Sequence, residues 1–291
     1  MMKALNMEKG VGYLLLAFSI FASIILALIM IFILDGGLPL FTKISVFDFL
    51  FGDKWIPAKD LYGALPFIVS TLLVTIGAVI IAVPLGVSCA VFLSEIAPPK
   101  AREIVRPAIE LLAGIPSIIY GVFALLVIVN FVKITFALAT GETIIAASIT
   151  LAVMILPIII SISQDSLEAV PRLYKEASYS MGATDWQTIY RVLVPAASPG
   201  IIAGIILGMG RAIGETMAVV LVIGNVEKFA TGFLSPGETL TSAILLEMGE
   251  AVVGSLHYNA LFALGIIPFA IVLVLSFLSS KLISKTKARF A

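Results

Sequence analysis

The run Glu176-Ala-Ser-Tyr-Ser-Met-Gly-Ala-Thr-Asp185 leads through Val194-Pro-Ala-Ala-Ser-Pro-Gly200 into Ile201-Ile-Ala-Gly-Ile-Ile-Leu-Gly-Met-Gly-Arg-Ala-Ile-Gly-Glu215. A polar, turn-forming loop is thus joined to an apolar helix that carries Arg211 and Glu215 four residues apart. Charges inside an apolar run are costly in lipid and need a reason. The apolar half is also about the 20 residues that a bilayer crossing takes, so the fold follows from how many such runs the chain holds.

Of 291 residues, 60% are hydrophobic and 12% charged, with a mean hydropathy of +1.15. A water-soluble domain carries about twice that share of charge, so composition alone indicates an integral membrane protein. Six runs reach spanning length, near 11–34, 64–93, 108–131, 143–163, 199–223 and 260–280. The expected fold is an all-α bundle of six transmembrane helices. The first run is too long for a signal-peptide core and lacks a small-residue cleavage pattern, so it reads as an uncleaved signal anchor. Zero net charge gives no electrostatic footprint for nucleic acid. The lone Cys89 excludes an intramolecular disulfide and a thiolate metal cluster, and reads as a small buried hydrophobe.

Lysine and arginine set the orientation. One set of loops and ends, carrying Lys3, Lys9, Lys100, Arg102, Arg106, Arg172, Lys175, Arg191, Lys281, Lys285, Lys287 and Arg289, holds twelve; the opposite set, with Lys43, Lys54, Lys59, Lys133 and Lys228, holds five. Positive residues stay inside, so both termini and the 164–198 loop are expected to be cytoplasmic. The chain divides into an anchor with its outer loop (1–60), a core of five transmembrane helices (61–285) and a basic tail (286–291).

In the outer loop, Asp35-Gly-Gly, Pro39 and Pro57 form turns and Trp55 suits an interfacial anchor. In the second run Thr71 and Thr75 share a helix face; their hydroxyls either bond their own backbone or line a polar path. In the third, Glu110 follows Arg106 by four residues and pairs with it near the surface. Pro116 and Pro157 are expected to kink their helices. Within 164–198, Leu167, Val170, Leu173, Ala177 and Met181 recur at helical steps, Gly182 ends that helix, and Thr184 or Asp185 caps a second with Trp186, Ile189, Val192 and Leu193 as its stripe. Pro195 and Pro199 are expected to break the chain before the fifth run. Two amphipathic helices about a glycine turn either dock on a partner protein or lie on the membrane surface.

Gly200, Gly204 and Gly208 recur every four residues, a spacing that lets helices approach closely. On a regular helix with Gly204 at zero, Gly200 and Gly208 fall at about −40° and +40°, and Arg211 and Glu215 at about −20° and +20°. Both charges are therefore expected on the packed glycine face, as a self-neutralising structural pair or as part of a substrate path. A guanidinium suits an oxyanion there. Beyond this run, 224–258 carries Glu227, Glu238, Glu247 and Glu250, and Leu240–Val253 has helical periodicity. The single His257 rules out a histidine metal cluster and reads as solvated or interfacial. No phosphate-cradling G-x-x-x-x-G-K-[ST], no H-E-x-x-H and no G-x-S-x-G occurs, so nucleotide and hydrolytic chemistry, and with them any cofactor, are expected on another chain.

Glu176-Ala177, Gly182-Ala183 and Val194-Pro195 resemble the EAA loop of bacterial binding-protein-dependent ABC importer permeases, with Ser178 in place of the third motif residue. Tyr62-Gly-Ala-Leu-Pro66, Glu110-Leu-Leu-Ala-Gly-Ile-Pro-Ser117, Gly208-Met-Gly-Arg-Ala-Ile-Gly-Glu-Thr-Met-Ala218 and Val222-Ile-Gly-Asn225 are similar to the phosphate-importer permeases, the PstC type more than the PstA type. The likeness covers residues 60–280. It implies a type I importer permease paired with a PstA-like permease, two copies of a PstB-like ATPase holding ATP and Mg, and a periplasmic or lipid-tethered PstS-like phosphate-binding protein. It further implies that Glu176, Ala177, Gly182 and Ala183 couple to the ATPase and that Arg211 and Glu215, with Thr71 and Thr75, border the phosphate path. The alternatives are the same architecture carrying molybdate, sulfate or an amino acid, and an ion-driven secondary transporter. The latter would be supported by an inverted repeat, and none is visible.

Overall fold

The structure, a computed structural model, describes the backbone of residues 2–290 and the side chains of residues 11–281. The side chains of Lys3, Lys9, Lys285, Lys287 and Arg289, and with them the basic tail, lie outside the described residues. Among the described residues six helical stretches are long and apolar enough to cross a membrane: Val11–Thr42, Leu65–Ile96, Ser117–Thr135, Ile144–Glu168, Asp185–Gly214 and Leu256–Lys281.

The helices are α1 (Met2–Gly37), α2 (Val46–Phe51), α3 (Leu65–Val91), α4 (Pro99–Ala113), α5 (Ser117–Leu126), α6 (Ile128–Thr135), α7 (Ile144–Glu168), α8 (Arg172–Ser180), α9 (Asp185–Thr188), α10 (Val194–Gly214), α11 (Met217–Val220), α12 (Leu240–Glu247) and α13 (Leu256–Phe290). A short antiparallel pair, β1 (Trp55–Ile56) and β2 (Leu61–Tyr62), closes the first loop. The axis of the bundle is α7, most of whose apolar window is buried. It lies between α3 and α10 because both offer it glycines. A methyl carbon at Gly86 of α3 would sit 2.8 Å from Ile159, and one at Gly208 of α10 would sit 3.3 Å from the other side of the same residue. Small residues let backbones approach and gain dispersion contacts where lipid offers no hydrophobic drive.

Helix α7 begins at Thr143, whose Oγ1 accepts from Ala146 N at 3.4 Å. The first backbone N–H groups are taken by the chain that follows α11: Thr143 N donates to Val222 O, Ile144 N to Ser235 O and Ile145 N to Phe233 O, at 2.8–3.1 Å. Within the bundle, Ser148 and Thr150 donate to the carbonyls one turn back. These bonds spare buried hydroxyls the cost of lying unpaired in an apolar core.

Three sequence expectations change. The run at 108–131 is not one kinked crossing: Gly114-Ile115-Pro116 stops α4, and the spanning stretch starts at Ser117. Glu110 consequently lies in α4, where Arg106 meets it at 3.4 Å and also reaches Asp165 at 3.2 Å and Glu168 at 3.9 Å, at the end of α7. Second, Pro195 and Pro199 do not break the chain before the fifth run. Pro195 directly follows the π-helical turn Ile189–Leu193, and the helix runs on through it into α10. Pro199 leaves the carbonyl of Pro195 without its helical donor, and Ser198 Oγ donates to that oxygen at 2.8 Å instead. Third, Trp55 is no interfacial anchor. It is 2% exposed and packs edge-on against Tyr62 and Phe67, in a second core with Leu40, Phe49, Leu240 and Leu261 at the end of the bundle away from α8. Its Nε1 donates to both carboxylate oxygens of Glu247 at 3.0 Å. His257, expected in solvent or at the interface, stacks on Tyr62 and lies 3.3 Å from Glu247. Cys89 is half-buried at the α8–α9 end of α3. Helix α1 stands apart from the bundle and meets it along α13, where Phe32 packs edge-on against Phe262.

Candidate functional site

Two places combine exposure with chemistry: the α8–α9 loop, and a cleft beside the end of α10. In the loop, Pro171 leads into α8, and no residue of α8 is buried. Gly182 turns the chain at φ +80°, a left-handed conformation in which a Cβ is strained. Thr184 then opens α9 with a reciprocal cap: its Oγ1 accepts from Gln187 N at 3.3 Å and its N donates to Gln187 Oε1 at 3.0 Å. Ser178 and Thr188 hydroxyls meet at 2.8 Å and Tyr179 OH donates to Asp185 at 2.7 Å, so the two helices hold each other.

The apolar stripe expected along 167–181 is split. Leu167 belongs to α7 and is buried, whereas Leu173 and Met181 face outward, Met181 at 88% exposure. In the second stripe Ile189 and Leu193 are buried, while Trp186 is 66% exposed and Tyr190 is exposed beside it. Glu176, Ala177 and Gly182 are exposed on the same loop and Ala183 is half-buried. A rigid loop presenting Leu173, Met181, Trp186 and Tyr190 around a carboxylate has the make-up of a protein-docking surface, apolar anchors with a polar rim.

The charged helix differs more from expectation. The glycine row does pack: Gly204 faces Ile162, Gly208 faces Ile159 and Gly200 faces Ser166, all on α7. The helix stops one residue short of Glu215, which takes extended backbone at φ −72° and ψ 131°. Its Oε1 accepts from Ala218 N at 3.3 Å and its carbonyl accepts from Thr241 Oγ1 at 2.9 Å. The expected Arg211–Glu215 pair on one helical face therefore does not form, and among the described residues no carboxylate lies within ion-pair distance of Arg211. Nor is Arg211 on the packed face. The covered side of α10 runs through Ala197, Ile201, Gly204, Gly208 and Ala212, and Arg211 falls at its edge. It lines a cleft of about 730 Å³ between α10 and α13, with Gly210, Val272 and, toward the α8–α9 end, Ser276, Ser279 and Ser280.

Thr71 and Thr75 are not at this cleft. Thr71 Oγ1 donates to Phe67 O at 2.7 Å and accepts from Leu240 N at 3.1 Å; Thr75 Oγ1 donates to Thr71 O at 2.8 Å. Both are buried, with their hydroxyls bonded to backbone. Sequence reasoning missed Glu95: its Oε2 holds Lys175 Nζ at 2.6 Å, and its Oε1 accepts from Ser94 Oγ at 3.0 Å. Its one sequence signal was a carboxylate at the end of an apolar run. Nor did it foresee the burial of Glu238, 3% exposed between α11 and α12, whose carboxyl is pushed up to about 8 by burial and by the nearby charges of Glu247 and Glu227.

Residues 82–289 match the model of the family described as binding-protein-dependent transport system inner membrane component. The chain is 42% identical to the probable ABC transporter permease protein YqgH of Bacillus subtilis over 82% of its own length and 79% of that protein. It is 36% identical to the phosphate transport system permease protein PstC of Mesorhizobium japonicum, over 90% of this chain and 88% of the other, and 36% identical to that of Pasteurella multocida, over 94% and 90%. Among solved structures, a chain of the MetNI methionine ABC transporter in an inward-facing form aligns with a TM-score of 0.62 at 20% identity, over 80% of this chain and 99% of that one. A chain of a bacterial ABC transporter that imports alginate aligns at 0.60 and 17% identity, over 93% and 95%. At those identities the two structures speak for the fold, that of the type I ABC importer permeases.

Proposed function

Since the chain belongs to the family of binding-protein-dependent transport system inner membrane components, we propose that it is the transmembrane permease subunit of an ATP-driven phosphate importer, of the PstC type. Relatives of that name, matched over most of both chains, support the substrate. The observation that carries the mechanism is the exposed α8–α9 surface of Leu173, Met181, Trp186 and Tyr190 around Glu176, Ala177, Gly182 and Ala183. The chain is a transport subunit. It acts with a separate ATPase and a substrate-binding protein: a PstB-like pair holding ATP and Mg, a PstS-like phosphate-binding protein, and a PstA-like second permease that completes the path. The lysine and arginine asymmetry supports a multi-pass placement in the cell membrane with α8–α9 and both termini on the cytoplasmic side.

In this reading the ATPase pair closes on ATP and pushes the α8–α9 loop. Because α9 passes without a break into α10, the push is delivered to the helix that carries Arg211. Phosphate arriving from the binding protein meets the Arg211 guanidinium at the cleft, whose forked donors match two oxygens of the anion. Glu215 acts by ending α10 and fixing α11, and Thr71 and Thr75 act in packing. The test is transport by the purified protein reconstituted in liposomes with the second permease, the ATPase and the binding protein. ATP-dependent uptake of radiolabelled phosphate, not competed by sulfate or molybdate, is expected. Uptake of another oxyanion but not phosphate overturns the substrate; uptake without ATP overturns the coupling.

A further inference from the structure

Both helices that flank α7 carry a π-helical turn at the α8–α9 end, Phe92–Ile96 after α3 and Ile189–Leu193 before α10. Such turns hold one residue more than an α turn, are uncommon, and mark places where a helix changes register. The α8–α9 loop is joined to the second of them covalently. It is joined to the first by one ion pair. Lys175 Nζ lies 2.6 Å from Glu95 Oε2, and the Glu95 side chain is 10% exposed. Among the described residues this is the one ion pair or side-chain hydrogen bond that ties α8 to a helix other than those it leads into. The carboxylate is held on its other oxygen by Ser94, and Ser94 O in turn accepts from Arg102 of α4 at 2.8 Å. Lys175 directly precedes Glu176 on the outward face, so a load applied to Glu176 reaches Glu95 through one residue.

We infer that Glu95 and Lys175 are positioning residues for energy coupling: their ion pair is a second arm of the α8–α9 loop, moving the end of α3 together with the start of α10. The inference rests on the coupling role proposed for the loop. A push carried into α10 alone would shear α10 against α7 while α3 stayed fixed. Two arms move both flanks of α7, so its glycine-lined contacts at Ile159 shift together. The pair stands where an exposed loop otherwise touches the first π turn by no polar contact among the described residues.

The experiment is amide exchange by mass spectrometry on the complex assembled with the ATPase subunit, with and without ATP and vanadate, which needs no transported substrate. In the wild-type complex, exchange at 92–96 and at 189–193 is expected to change on nucleotide trapping. In Lys175→Met and Glu95→Gln the response at 189–193 remains and that at 92–96 is lost, while Lys175→Arg keeps both. Uptake per ATP hydrolysed is expected to fall by about tenfold in either single variant, the size of an ordinary coupling energy, and the double variant should be no worse than the singles. A response at 92–96 that survives in Lys175→Met, or that is absent from the wild-type complex, overturns the inference, as do additive losses in the double variant. Absence of phosphate uptake by the wild-type complex overturns the transport reading instead, and leaves the exchange result to decide the ion pair.

Discussion

Arg211, the residue proposed to meet the anion, is placed by geometry as much as by charge. It sits at the edge of the face that α7 covers, so its guanidinium reaches the α10–α13 cleft while its neighbours Gly208 and Ala212 seal against α7. With no carboxylate among the described residues in ion-pair range, its charge is available to an anion. Replacing it should remove charge-assisted hydrogen bonds to phosphate, each worth about 1.5–3 kcal/mol, without disturbing the core. Arg211→Gln is therefore expected to lower ATP-driven phosphate uptake by at least tenfold, while the complex still co-purifies and hydrolyses ATP. Wild-type uptake rates in that variant would remove Arg211 from the path. Glu215 makes a useful contrast: its contacts are Ala218 N and Thr241 Oγ1, so its loss should act on folding around α11 before it acts on the anion.

At the scale of elements, the α8–α9 loop owes its shape to three residues. Pro171 starts α8, Gly182 reverses the chain at φ +80°, and Thr184 caps α9. Among the described residues, no atom beyond Gly182 and its two chain neighbours lies within 4 Å of a Cβ placed there, so a substitution costs backbone strain and not a clash. A β-branched residue in the left-handed region costs about 1–2 kcal/mol. Gly182→Val is thus expected to leave the bundle intact and weaken ATPase association by about tenfold, measured by co-purification or surface binding. The milder Gly182→Asn, which tolerates positive φ, should come closer to wild type. Equal association by both variants and wild type would remove the turn from the docking surface. The continuity of α9 with α10 belongs to the same scale. It depends on Ser198 satisfying the carbonyl that Pro199 leaves open, a compensation that runs against the usual reading of a proline pair as a break.

The whole molecule is a bundle with α7 at its centre, the exposed α8–α9 loop at one end and a buried polar cluster at the other. In that cluster Trp55 of the first loop donates to Glu247 of α12, and His257 of α13 lies against the same carboxylate. Nearby, Glu238 is buried with its carboxyl raised from 4.5 to about 8. The folded state thus holds that proton more tightly than the unfolded chain does. Its contribution to stability is complete below about pH 4.5 and is lost as pH rises toward 8, each unit being worth about 1.4 kcal/mol at most. Thermal unfolding in detergent between about pH 5 and 9 should show stability declining with pH, and Glu238→Gln should flatten the decline. An unchanged slope in the variant would place Glu238 in water.

How much of this was legible in the chain differs by kind of interaction. Six apolar runs, the glycine row of α10 and the Gly182 turn could be read directly. Hydropathy, small-residue spacing and positive φ are local properties that the residues carry wherever they fold. The burial of Trp55, the commitment of Thr71 to Leu240 N, the Glu95–Lys175 pair and the end of α10 at Glu215 could not. Each joins residues far apart in sequence or depends on a donor supplied by another element, as when Thr241 takes the carbonyl of Glu215. A helical wheel assumes the helix continues and that its packed face is centred on the glycines; α11, α12 and α7 decided otherwise. The sequence by itself determined a six-helix membrane permease with two short helices about the Gly182 turn. The tertiary structure decided which way its charges face, because in an apolar bundle a polar group's place is set by where a partner stands to receive it.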